Sequence, residues 1–357
     1  MKTGRTLSEL AAELERQAGA KKDYIADTRK LQMVPLDTGK VKLNGVNGGM
    51  ELKPIAHGQL SAALGIPKVY YDRMLEQAPD LLSANVNAWF ERQPAKKLVR
   101  AMDNQVRAIL SDSYRPLDNL DLAMAVLPKL VALEAKVVSS EVTDSRLYLK
   151  AISEKIQGEI KVGDVIQAGL VVSNSEVGAG ALKVEEMDYR LVCTNGMIRD
   201  VAVRKAHLSR AARGADAIED AREFFRSETR IADDRAFFMK VEDTVASMFS
   251  QSKLAKRLEL YREASTVVLS AAPEDVVEVT AKRFALNDTE RSAILRHLIK
   301  GDDASVWGLA NAITRTAQDS ESYDRATELE ALGGAVVELP RSIWKNIGLL
   351  EAKTVAV

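Results

Sequence analysis

Two segments decide the fold: KKLVRAMDNQVRAILSDSYRPLDN (residues 96–119) and VVSNSEVGAGALKVEEMDYRLVCTNGM (residues 171–197). In the first, alternating apolar residues flank Asp103-Asn104, a dipeptide suited to positive φ. This pattern predicts a β-hairpin. A continuous apolar run over residues 165–172 predicts a central strand that is covered on both faces.

The length of the hairpin loop leaves two registers open. A two-residue loop would place Arg100 directly opposite Arg107, with Val99, Ala101, Val106 and Ala108 on the core face. A three-residue loop, 103–105, would shift the register by one and separate the arginines. Like charges directly across a ladder are unfavourable unless both reach water or an anion lies between them.

The order of elements predicts an α+β fold. A hairpin is followed by a helix over residues 120–134, then by several strands, so we expect a mostly antiparallel sheet with a packed helix. From residue 216 long helical patterns predict an α-helical C-terminal region. We therefore expect an N-terminal helical arm (1–36), an α+β core domain (37–213) and a mainly helical region (214–357). The helix of the arm either folds back on its own domain or docks on a neighbouring subunit.

Composition narrows the function classes. The chain has 50 Lys and Arg against 51 Asp and Glu, so any nucleic-acid affinity requires local clusters of charge. One cysteine and three histidines argue against a disulfide and a metal centre, and no phosphate-binding loop is present. We predict no cofactor, no metal and no catalytic residue. No apolar run is long enough to span a bilayer, so we expect a cytoplasmic protein without a membrane partner.

Basic residues with a nearby aromatic predict contacts to nucleic acid, because phosphates need spaced cations and bases stack on flat side chains. The alternative is a solvated hairpin face and an amphipathic helix. The predicted contacts are Lys97, Arg100, Arg107, Tyr114, Arg115, Arg190, Arg199, Arg204 and Lys205.

A second candidate site lies in two polar loops. Asn174, Ser175 and Glu176 follow a buried strand, and Asn195 lies in a Thr-Asn-Gly turn. Such loop residues can form a functional site. The alternative is that their side chains form the hydrogen bonds that shape tight loops.

Three strings carry a resemblance to a known family: LVRAMDNQVRAILSDSYRPLDN, GLVVSNSEVGAGALKVEEMDYRLVCTNGM and VWGLANAITRTAQD. Over residues 40–332 the chain resembles the phage- and plasmid-encoded proteins called domain of unknown function 932. The resemblance implies a role in the DNA metabolism or establishment of a mobile element. The architecture also resembles that of single-strand annealing recombinases. That likeness implies phosphate contacts by Arg100, Arg107, Arg115 and Arg190, and base stacking on Tyr114.

Two functional hypotheses follow. The leading one is a non-enzymatic homo-oligomer that binds single-stranded DNA and promotes strand annealing. It depends on Arg100 and Arg107 remaining exposed and unneutralised. The alternative is a protein-interaction module of a mobile element, such as an anti-defence or establishment factor, which uses its helical C-terminal half and binds no DNA.

Overall fold

The computed structural model describes residues 1–114, 116–205 and 227–348. Its strands form two sheets rather than the single sheet that the sequence suggested. The first sheet contains β1 (Lys22–Asp27), β2 (Gln32–Pro35), β3 (Val41–Asn44), β4 (Met50–Leu52), β5 (Lys96–Met102) and β6 (Gln105–Ser111). Their spatial order is β1-β5-β6-β4-β3-β2, and only the β4–β6 pair among these described strands is parallel.

The predicted hairpin is β5–β6, with a two-residue loop. Asp103 and Asn104 have φ values of 52° and 58°, which short polar side chains tolerate. A β-bulge follows, so that Arg100 pairs with Ala108 and Arg107 is the extra residue. The loop is the two-residue alternative, but the bulge prevents the direct pairing of the two arginines that this loop would otherwise give. Ala108 also shares the face of Arg100 instead of the core face.

Three helices cover one face of the first sheet: α2 (Pro54–Ala63), α3 (Lys68–Gln77) and α4 (Pro79–Arg92). Tyr71, Val86 and Phe90 from these helices pack against Val99 and Ile109 of the hairpin. The other face of the hairpin turns towards the second sheet.

The second sheet is a five-stranded antiparallel sheet with β9, its predicted central strand, in the middle. It contains β7 (Lys136–Val142), β8 (Leu147–Glu159), β9 (Val165–Asn174), β10 (Leu182–Arg190) and β11 (Asn195–Lys205), in the order β11-β10-β9-β8-β7. Two helices pack on one face, α5 (Asn119–Ala132) and α6 (Ser227–Met248). The side chains of Leu149 and Leu170 lie in this core with Val126 of α5.

The helical C-terminal region contacts both faces of this sheet. It comprises α7 (Gln251–Thr266), α8 (Pro273–Phe284), α9 (Asp288–Gly301), α10 (Val306–Thr316), α11 (Tyr323–Val337) and α12 (Arg341–Gly348). Ile166 and Ala168 of β9 lie on the same face as Leu170 and contribute to the core that includes Leu258 and Ile313 of these helices. On the opposite face, Tyr323 of α11 packs with Tyr148 and Val171. The predicted α+β fold, with mostly antiparallel sheets and a helical C-terminal region, is confirmed.

The N-terminal helix α1 (Leu7–Ala20) folds back on its own chain. Its Leu10 and Leu14 are buried in the core beneath α5. The segment predicted as a helical arm also contains β1 and β2, which are the two edge strands of the first sheet. None of the described helices is both long and apolar enough to cross a membrane.

Candidate functional site

The two predicted sites meet where the first sheet faces the loop after β9. Arg100 Nε donates to Asp23 Oδ1 at 2.8 Å, Nη1 donates to the carbonyl oxygen of Glu176 at 2.7 Å, and Nη2 donates to Asp118 Oδ1 at 3.3 Å. Only 3% of Arg100 is exposed. The guanidinium is therefore held by three segments of its own chain.

Glu176 is the second centre of this arrangement and is also 3% exposed. Its Oε2 accepts from Arg107 Nη1 at 3.3 Å, and its Oε1 accepts from the backbone N–H of Asn119 at 2.7 Å. Lys21 Nζ lies 3.6 Å from Oε1 and 2.6 Å from Asp118 Oδ2. The carboxylate thus also satisfies an N–H group at the start of α5.

We call these six side chains the junction network; they are Lys21, Asp23, Arg100, Arg107, Asp118 and Glu176. Three cations face three carboxylates, so the network is neutral in itself. Burial raises the pKa of Asp118, but the hydrogen bond from Lys21 and the charge of Arg100 outweigh it and hold that pKa below its usual value. The expectation that Arg100 and Arg107 are exposed and unneutralised is wrong, because the protein's own acids neutralise them.

The remaining members of both predicted sites near the junction are also buried. Tyr114 is 8% exposed and donates through its hydroxyl to the carbonyl oxygen of Ser175 at 3.2 Å. Burial raises the pKa of this hydroxyl. Asn174 Nδ2 donates to the carbonyl oxygen of Leu117 and to Asn119 Oδ1, both at 2.8 Å. Tyr114 therefore presents no open ring for stacking in this structure, and the loop residues serve the junction.

Other predicted residues lie away from the junction and have partners of their own. Arg190 donates from Nε and Nη2 to the two oxygens of Asp164, at 2.5 and 2.9 Å. Arg199 Nε donates to Glu338 Oε1 at 2.6 Å. Asn195 is buried, and its Nδ2 donates to Thr314 Oγ1. These hydrogen bonds connect the side chains of β10 and β11 to neighbouring segments.

Four predicted contacts remain, namely Lys97, Arg115, Arg204 and Lys205. Arg115 lies outside the described residues, as do the side chains of Arg204 and Lys205. The backbone register pairs Arg204 with Lys183 across β10 and β11. Lys97 is half-buried at the start of β5, and no carboxylate of the described residues lies within 4 Å of its ammonium group.

An exposed group of cations lies at the end of the first sheet where β5 begins. We call it the basic cluster and define it by Arg29, Lys30, Arg92, Lys96 and Lys97. Thr28 joins the three segments that carry it. Its Oγ1 donates to the carbonyl oxygen of Phe90 at 3.2 Å and accepts from the N–H of Ala95 at 3.0 Å.

The basic cluster is less neutralised than the junction network. Asp27 pairs with Arg29 at 2.7 Å, and two further acids lie nearby: the exposed Glu91, and Asp112, which follows the Ser111 that pairs with Lys97. Trp89 is half-buried, and the guanidinium of Arg92 lies 6.0 Å from its ring centroid. Of these cations only Lys97 is among the predicted contacts. Lys96 adjoins it in the sequence, whereas Arg29 and Lys30 come from a distant segment.

The described residues contain no group of three or more histidine, cysteine or acidic side chains that could hold a metal ion. The chain has no match among curated proteins and none among solved structures. The likeness to annealing recombinases is therefore unsupported. One family model, Domain of unknown function (DUF932), matches residues 107–331, from β6 to α11. This match covers more than half of the sequence, and the chain belongs to that family.

Proposed function

We propose that the protein binds single-stranded DNA through the basic cluster. The observation that carries the proposal is the excess of charge at this exposed position: the five cations outnumber the nearby acids Asp27, Glu91 and Asp112. Cations that reach water gain affinity for a polyanion by releasing its counterions. The buried arginines of the junction have no such role in this proposal.

The shape of the cluster favours a single strand. Lys96 and Lys97 are adjacent on β5, so their side chains leave opposite faces of the sheet. The cations therefore follow the rim of the sheet, and a flexible backbone can bend around such a rim. The indole of Trp89 offers a flat surface beside Arg92, and unstacked bases pack on such rings.

The test is a fluorescence anisotropy titration of a labelled oligonucleotide over a range of salt concentrations. Each phosphate contact on a single strand contributes roughly −0.7 to the slope of log K against log salt. Five contacts predict a slope of log K against log salt of about −3.5 for the wild type. Removing two with Lys96→Gln and Lys97→Gln predicts about −2, together with weaker binding.

The matched control removes two adjacent exposed cations from the helical region. Lys282 and Arg283 of α8 are both exposed and lie far from β5 in sequence. Lys282→Gln with Arg283→Gln should leave both the affinity and the slope unchanged. An equal loss in the two double variants would show general electrostatics instead of a site, and no binding by the wild type at low salt would end the proposal.

One observation favours a second candidate function, self-association or binding of another protein. On α5, Met124 is 66% exposed and Val131 is 75% exposed, with Pro128 exposed between them. Residues seven apart lie on one helix face, so this is an apolar stripe. On the helices of the C-terminal region, the exposed large apolar side chains Met239 and Ile299 lie on different helices.

We propose a second copy of the chain as the occupant of the α5 stripe. Multi-angle light scattering of the wild type and of the variant Met124→Glu with Val131→Glu tests this. A dimer or larger assembly that dissociates in the variant supports it. A wild type that remains monomeric over a wide concentration range contradicts it.

A further inference from the structure

A cavity of about 370 Å³ lies between the two sheets, beside the N-terminus of α2. It is bounded by β3, β4 and α2 on one side and by Asp144, in the turn between β7 and β8, on the other. Its volume falls in the range of small-molecule sites. Its lining includes Lys40, Glu51, Lys53, His57, Gln105 and Asp144.

The N-terminus of α2 adjoins this cavity, because Lys53, Pro54 and His57 all line it. Helix α2 begins with Pro54, and no side chain caps its N-terminus. The amides of Ile55 and Ala56 are thus the first N–H groups of an uncapped helix end, where backbone geometry favours an anion. Lys53, immediately before the helix, and Lys40 add two ammonium groups.

His57 supplies an independent indication of a ligand. It is 8% exposed and lines the cavity, and its Nδ1 lies 2.9 Å from the hydroxyl of Tyr71. Tyr71 is fully buried, and Nδ1 is the hydrogen-bond acceptor that its hydroxyl has among the described residues. The hydroxyl therefore donates to Nδ1, and the neutral ring carries its proton on Nε2. Nε2 makes no hydrogen bond to any described residue and keeps contact with solvent, so a ligand in the cavity can accept from it.

The carboxylates of the cavity do not block an anion. Glu51 accepts from Lys40 at 2.9 Å, and Asp144 accepts from Lys53 at 2.7 Å. The side chains of Glu51 and Asp144 are 38% and 65% exposed, so these are surface pairs that cost little to open. Each acid can turn into water while a ligand takes over its ammonium partner.

We propose that this cavity binds the phosphate group of a small molecule of mononucleotide size, with Lys53, His57 Nε2 and the first amides of α2 as its donors. The site is separate from the basic cluster and does not depend on the proposed DNA binding. A phosphate of this chemistry also occurs in a nucleic-acid backbone, so the test distinguishes the two sources.

The test is isothermal titration calorimetry on the full chain with adenosine 5′-monophosphate, with adenosine as the ligand that lacks only the phosphate. We expect the nucleotide to bind, inorganic phosphate to compete with it, and adenosine to bind at least about tenfold more weakly. Equal binding of nucleotide and adenosine, or no heat from either, overturns the proposal.

Two variants locate the site. Lys53→Gln should weaken nucleotide binding by about tenfold or more. Lys282→Gln is the control, since Lys282 is an exposed cation of α8 that does not line the cavity; it should bind like the wild type. Unchanged affinity in Lys53→Gln overturns the assignment. The ring ¹⁵N signal of His57 Nε2 gives a second readout and should shift only when phosphate is present.

A competition experiment identifies the source of the phosphate. An oligonucleotide without terminal phosphates is added to the protein saturated with the mononucleotide. Displacement assigns the cavity to backbone phosphate, and retention of the mononucleotide assigns it to a free metabolite. Both results keep the phosphate assignment, which the adenosine comparison and the Lys53→Gln variant test.

Discussion

Glu176→Gln is expected to destabilise the fold strongly, because the carboxylate neutralises a buried guanidinium. Arg107 is 5% exposed and its Nη1 donates to Glu176 Oε2, so the variant leaves a cation buried without its countercharge. Breaking a buried ion pair by removing one partner costs about 3 to 5 kcal/mol. The amide of glutamine still offers an oxygen to the N–H of Asn119, so we expect a value near about 3 kcal/mol.

Urea denaturation followed by circular dichroism measures this change. The control is Glu154→Gln, which removes the acid of the exposed pair Lys136–Glu154 and should cost no more than about 0.5 kcal/mol. The slope of the transition should be unchanged in both variants. If Glu176→Gln lowers the free energy of unfolding as little as Glu154→Gln does, the junction network does not stabilise the fold. If Glu176→Gln instead folds normally and binds DNA more tightly than the wild type, Arg100 and Arg107 contact DNA.

Two further predictions concern buried ionisable groups. Burial, and to a lesser extent the charge of Lys68, lowers the pKa of His57 to about 4 from 6.5. The free energy of unfolding is therefore unaffected by protonation of His57 above about pH 6.5. As the pH falls from there towards about 4, it decreases by at most about 3 kcal/mol. His57→Gln should not show this decrease in the free energy of unfolding. Urea denaturation of both proteins at pH 7 and pH 4.5 measures the difference. An equal decrease in the wild type and the variant would contradict the prediction. Lys150 and Glu330 form a fully buried pair at 2.5 Å, so Lys150→Met should cost about 3 to 5 kcal/mol, and adding Glu330→Leu should recover most of it. A double variant no more stable than the single one would refute the second prediction.

The local features of the hairpin could be predicted from sequence because they depend on neighbouring residues. Asp103-Asn104 favours positive φ by itself, and the alternation on either side of it defines two strands. The bulge at Arg107 could not be predicted in this way. It turns a side chain towards Glu176 in the loop after β9, and that partner is nearby only when the chain is folded.

The burial of the predicted DNA contacts was missed for the same reason. Arg100 is separated from Asp23 by 77 positions and from Glu176 by 76. The sequence around a basic residue on a strand does not show whether its side chain contacts water or a carboxylate from a distant segment. Most of the basic cluster was missed for a related reason, since the pairing of β1 with β5 and the hydrogen bonds of Thr28 bring Arg29 beside Lys96, 67 positions later in the sequence.

The most direct test of the account is lysine acetylation footprinting with and without single-stranded DNA, read by mass spectrometry. If the basic cluster is the interface, DNA should protect Lys30, Lys96 and Lys97, while Lys282 and Lys300 of the helical region should react equally in both samples. Equal reactivity at all five lysines under conditions where DNA is bound would contradict the proposed interface.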